Sequence, residues 1–251
     1  MLVLWTLEVH PAASIGLFGN FLVAIATAVF NGVLLWTLYI ALEPVVRSRW
    51  PQALVSTTTL FTGRLRDAVV GRDVLWGVAL GVSWAVLLSS VAVSAGNSDL
   101  GRVPPELLSG LRSTLAMFFT NGARGMRTGL AFFMLLFVLR TVLRRQWAAA
   151  LVFAALFAAL DFVGSDQPMV DGPTSFVLML MIATVVVRFG LLSLAVSVFV
   201  TNTLVSVPLS SDAGAWYLPT AVLLLGVILA AATWALYTST GGRLWQHDSA
   251  A

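Results

Sequence analysis

The stretch WYLPTAVLLLGVILAAATWALYT, Trp216 to Thr238, contains no charged side chain from end to end. Written as a helix at 1.5 Å per residue, it places Trp216 and Tyr217 about 30 Å from Trp234 and Tyr237, which is the thickness of a bilayer's hydrocarbon core with an aromatic pair at each interface. Such a helix has no polar face to turn toward water. The rest of the chain has the same character: 59% of its residues are hydrophobic and 10% charged, where a soluble domain carries about 25% charged residues. Mean hydropathy is +0.94. With 251 residues there is room for about seven helices of about 20 residues and little left for an aqueous domain. The expected fold is all-α, a polytopic transmembrane helix bundle of about seven spans. Residues 1–15 form an apolar segment that begins abruptly plus an outer loop, 16–240 the bundle, and 241–251 a cytoplasmic tail.

Working back from the last span, Ser175 to Val207 is apolar apart from Arg188. As one helix it would be about 50 Å long, too long for a core of about 30 Å, so it is divided at Arg188-Phe189-Gly190; the alternative is one long helix with Arg188 facing the bundle interior. Other spans are expected at Trp147 to Val163, Thr128 to Leu143, Val74 to Ala95 and Gly16 to Ala41, the last closed by Glu43-Pro44. A semi-polar helix over Leu111 to Phe119 precedes the Thr128 span. The polar stretch 43–73 holds Arg47, Arg49, Arg64, Arg66 and Arg72, and the positive-inside rule assigns it to the cytoplasm. Alternation then puts the N-terminus outside and the C-terminus inside, with a further in-to-out helix expected upstream of Met1. No removable signal peptide is recognisable.

All 14 basic residues are arginine, and the pI is 10.2. Because these arginines flank apolar runs, they orient helices, and the partner they imply is the lipid bilayer; no nucleic acid is expected. Cysteine is absent, and His10 and His247 lie outside the spans, so neither thiolate nor histidine metal chemistry is available within the membrane. Ser83, Ser89 and Ser193 have no base near them in sequence and read as small packing residues. Gly19, Gly77, Gly81 and Gly190 stand singly in apolar runs, without the Lys-Ser or Lys-Thr of a phosphate loop. No catalytic, metal-ligating or cofactor-binding residue is therefore assigned. The candidate functional residues are the polar groups at and within the spans: Glu43, Arg47, Arg49, Arg64, Arg66, Asp67, Arg72, Asp73, Arg140, Asp161, Arg188 and Asn202. Each also has a structural role open to it. Arg140, Asp161 and Arg188 lie near span ends and can snorkel, while Asn31 and Asn202 suit interhelical hydrogen bonds.

LWTLYIALEPVVRSRWPQALVSTTTLFTGRLRDAVVGRDVLWGV, Leu35 to Val78, resembles the first part of the C-terminal membrane domain of bacterial, acidobacterial-type, eukaryotic-like serine/threonine protein kinases. RFGLLSLAVSVFVTN from Arg188 and WYLPTAVLLLG from Trp216 resemble its later parts. The resemblance implies a cytosolic kinase domain or signalling protein as partner and the bacterial inner membrane as location. This chain has no glycine-rich loop with its lysine, no His-Arg-Asp and no Asp-Phe-Gly, so kinase activity would belong to a fused or partner domain. Arg140 to Asn202 is similar in layout to the CAAX-type intramembrane proteases, whose pattern is Glu-Glu-x-x-x-Arg, Phe-x-x-x-His, then a late His and Asn. Arg140, Phe157 and Asn202 fit. Leu135 and Leu136 stand for the glutamates, Asp161 for the first histidine, and Val198 or Phe199 for the second, so the resemblance implies a shared fold without catalysis. The expected function is a non-catalytic membrane anchor or sensory domain. The alternatives are a small transporter or channel, with Asn31, Asp161, Arg188 and Asn202 along its path, and a pseudo-protease of the CAAX type.

Overall fold

A computed structural model describes residues 15–50, 55–94, 111–165, 167–206 and 218–241. The described residues form seven helices: α1 (Ile15–Arg49), α2 (Val55–Phe61), α3 (Ala68–Ser94), α4 (Leu111–Leu143), α5 (Gln146–Gly164), α6 (Pro168–Ser206) and α7 (Leu218–Ser239). The five from α3 to α7 are long and apolar enough to cross a membrane, and α1 carries a shorter apolar stretch, Phe21–Thr37. The bundle is all-α, as expected. The N-terminal segment, the loop around Asn97, Asp166 and the tail beyond residue 241 lie outside the described residues.

The long α6 is not a straight rod. At Gly190 the backbone takes φ 83° and ψ −165°, a region open essentially to glycine alone, and the chain folds back there. Contacts with α3 show the reversal. The Ser193 hydroxyl donates to the Asp73 carbonyl at 2.8 Å, and the Thr201 hydroxyl to the Gly81 carbonyl at 3.0 Å, so the second arm rises alongside α3. Yet Ile182 and Val185, from before the fold, line the same small cavity as Ser197 and Trp84. In a continuous helix Ile182 and Ser197 would stand about 22 Å apart. The two arms therefore lie side by side, and the division expected at Arg188-Phe189-Gly190 occurs. Phe189 stacks on Trp76 with ring centroids 4.8 Å apart, fixing the bend against α3. Counting each arm of α6 separately, leaving out the short α2 and including α1, the described residues form seven rods. Gly190→Ala is expected to lower stability by about 1–3 kcal/mol through backbone strain alone, measured by thermal unfolding in detergent.

α6 is the hub of the bundle: 56% of its apolar window is buried, against 22 to 28% for the other four spans. Glycine makes this possible. Gly77 and Gly81, one turn apart on α3, lie directly against Ser193, Val196, Ser197 and Val200 of the second arm, while Gly125 and Gly129 of α4 meet Ala195 and Phe199 on its other side. Small residues four apart let helix backbones approach closely where lipid provides no hydrophobic drive for association. Outward, Phe18, Phe30, Val93, Val142, Val163 and Leu229 are exposed, forming the apolar surface that a bilayer would cover.

Some boundaries differ from the sequence expectation. α1 runs through Pro44 to Arg49, because continuing the helix satisfies backbone groups that would otherwise be left without partners at a membrane interface. α3 begins at Ala68 rather than Val74, with the Asp67 carboxylate accepting the Val69 N–H at 2.9 Å as an N-cap. The stretch 43–73 is thus largely helical, with α2 set between two long helices. The semi-polar segment at Leu111 and the Thr128 span are one helix, α4.

Candidate functional site

The arginine-rich end of the bundle holds a buried carboxylate. Asp73, on the second turn of α3, is 2% exposed. Its carboxylate accepts a short hydrogen bond from the Ser56 hydroxyl of α2 and an ion pair from its neighbour Arg72, whose Nη2 lies 3.0 Å away and Nε 3.1 Å. Arg72 is more than half exposed, so it screens the carboxylate from water while remaining solvated itself. The Asp73 carbonyl accepts the Ser193 hydroxyl from just past the α6 bend. α2, α3 and α6 thus meet at one residue.

The next residue of α2 faces a different environment. Thr57 and Leu60 close one end of an apolar cavity of about 490 Å³, whose other walls include Trp36 and Tyr39 of α1, Leu130 of α4 and Leu192 of α6. That volume is typical of a site for a small organic ligand. Thr57 is buried, and its hydroxyl has no hydrogen-bond partner, an exception to the usual satisfaction of buried polar groups. A shift of α2 that filled or emptied the cavity would act directly on the Ser56–Asp73 bond beside it.

Arg140, near the end of α4, does not reach freely to solvent. Its guanidinium carbon lies 4.2 Å from the centroid of Trp50, a cation–π contact. Trp50 stacks in turn on Phe133 at 5.8 Å. Nη1 of Arg140 is buried without a hydrogen-bond partner.

Comparison with known protein families, characterised proteins and solved structures finds no match.

Of the residues singled out in the sequence, Asp67, Arg72 and Asp73 come together at the start of α3, and Arg64 and Arg66 lie exposed on the turn before it. Glu43, Arg47 and Arg49 are placed as backbone, on the last two turns of α1. Arg188 is exposed beside Gln146 at the start of α5, whereas Asp161 is exposed near the far end of that helix, about 22 Å away. The Asn31 amide donates to the Thr27 carbonyl of its own helix at 2.8 Å, not across helices as expected. Asn202 is partly buried toward the end of the second arm of α6. No single path gathers these four. The described residues contain no group of three His, Cys, Asp or Glu placed to hold a metal ion. Sequence reasoning missed Ser56, Thr57, Trp50 and the role of Ser193. The spacings Gly77-x-x-x-Gly81, Gly125-x-x-x-Gly129 and Ser193-x-x-x-Ser197 were the available signal for close helix contacts.

Proposed function

We propose that this multi-pass membrane protein is a non-catalytic anchor and sensory domain of a bacterial inner membrane. Its N-terminus lies outside and its C-terminus inside, and it holds a cytosolic kinase domain or other signalling protein at its arginine-rich face. The observation that carries this reading is the arrangement of α2: Ser56 bonds the buried Asp73 under the arginine-rich turn, while the adjacent Thr57 walls the apolar cavity. A molecule entering the cavity from the bilayer would shift α2 and, through Ser56, the face that a partner meets.

The chain has no cysteine, so single cysteines report topology cleanly. Asp161→Cys is expected to react with a membrane-impermeant maleimide in intact cells, and Arg64→Cys only after permeabilisation; the reverse pattern would refute the orientation. For sensing, spin labels at positions 64 and 144 should move apart when Met126→Trp, from the exposed rim, fills the cavity. An unchanged distance would leave an anchor without a sensor. The kinase relationship is tested by reading the genomic sequence upstream of the Met1 codon: a kinase domain in frame supports it, and an unrelated gene removes it.

A non-catalytic relative of the CAAX-type proteases is the second reading. Its support is that Leu136 and Val198 belong to one large apolar cluster against which Leu135 and Phe157 pack. Asp161, exposed on the surface, does not join them. Stoichiometric zinc in the purified chain would count against both readings. A conduction path along Asn31, Asp161, Arg188 and Asn202 has no comparable support.

A further inference from the structure

We propose that the cleft between the start of α5 and the end of the first arm of α6 binds the phosphate of an anionic phospholipid. The cleft encloses about 250 Å³ and is lined by Gln146, Trp147, Ala150, Ala183, Val187 and Arg188, together with Thr184. Arg188 is exposed, and among the described residues no carboxylate pairs with it; the ion pair found there is Arg72 with Asp73. The neighbouring turn adds Arg144 and Arg145, both exposed. Arg145 occupies the N-cap of α5 with no side-chain cap hydrogen bond, so its own side chain does not cap the first N–H groups of that helix. Asp161 and Asp171 belong to the opposite end of the α5–α6 pair. The cleft therefore sits beside a concentration of positive charge, with no carboxylate paired to Arg188 among the described residues.

The apolar half of the cleft decides between a lipid and a free phosphate. Ala150, Ala183 and Val187 form a floor suited to the start of an acyl chain, and the Thr184 hydroxyl is already donated to the Met181 carbonyl at 2.7 Å, leaving Arg188, Gln146 and backbone N–H groups as donors. Trp147, 62% exposed, stands at the rim where an interfacial aromatic belongs. A guanidinium matches phosphate oxygens two at a time, and basic pockets between membrane helices bind anionic headgroups on this principle.

The test uses the full chain in neutral detergent and phosphatidylglycerol carrying a pyrene acyl label, with binding read as energy transfer from tryptophan. Phosphatidylglycerol is expected to bind in preference to phosphatidylcholine with the same label. Arg188→Gln should weaken it about tenfold or more, the loss of a charge-assisted hydrogen bond, and Arg188→Lys should fall between. Arg64→Gln, on the α2–α3 turn, should bind as the native chain does. Equal binding of the two lipids, or an unchanged Kd in Arg188→Gln, overturns the site. Displacement of the labelled lipid by millimolar inorganic phosphate overturns the lipid in favour of a soluble phosphate ligand.

Discussion

Gly77→Ala and Gly81→Ala, each alone, are expected to cost about 1–3 kcal/mol, and the double variant to approach the loss of the fold. A Cβ at position 77 would lie 2.7 Å from the Val196 Cβ and 2.8 Å from the Ser193 carbonyl oxygen; at position 81 the same distances recur to Val200 and Ser197. The carbonyls are backbone of a buried arm held between α3 and α4, so relief requires the helices to move apart, and overpacking of this kind carries the penalty stated. Two such costs are a large share of a net stability of about 5–15 kcal/mol. Gly122→Ala and Gly226→Ala are the controls, since nothing lies within 4 Å of a Cβ at either position; both should stay within about 0.5 kcal/mol of the native chain. Thermal unfolding in detergent, followed by circular dichroism, ranks the four. Equal effects at all four positions would mean that α6 is not held by close contact with α3.

The second large effect is expected at the Ser56–Asp73 bond. Ser56→Ala removes a donor from a buried carboxylate, and Asp73→Ala leaves a buried hydroxyl and an unpaired Arg72; each should cost about 1–3 kcal/mol, with Asp73→Ala toward the upper end. Because the two groups touch, the double variant should cost less than the sum, with a coupling of about 1 kcal/mol or more. The loss is local as well as global. α2 is a helix of 7 residues, too short to persist alone, so without its bond to Asp73 it should loosen, and trypsin should cut after Arg64 or Arg66 faster than in the native chain. Unchanged cleavage together with additive costs would show that α2 is held by apolar packing and that Asp73 transmits nothing to it.

The two resemblances fall on different parts of the fold. Leu136, at one glutamate position of the protease pattern, and Val198, which with Phe199 is one of two alternatives for its late histidine, belong to one apolar cluster. The first of the three segments of the kinase-type resemblance, Leu35 to Val78, contains Ser56 and Asp73, so the variants there probe the part of the chain on which the proposed sensing depends.

How much of this was legible in the sequence follows from which forces act locally. Hydropathy indicated the all-α bundle and the break near Gly190, because continuous apolar runs of this length satisfy their backbone in lipid as helices and because a run longer than the hydrocarbon core must turn. It also marked Arg72 and Asp73 as polar groups worth attention. What hydropathy could not assign was the partner of each helix. In a bilayer every apolar face is equally content against lipid, so neighbours are chosen by close fit, and that fit rests on Gly77, Gly81, Gly125 and Gly129 meeting one arm of α6. Nor could sequence tell that Asp73 is buried, since its burial depends on Ser56, 17 residues earlier, and on Ser193, 120 residues later. Those contacts exist only once α6 has folded back at Gly190 and brought its second arm alongside α3.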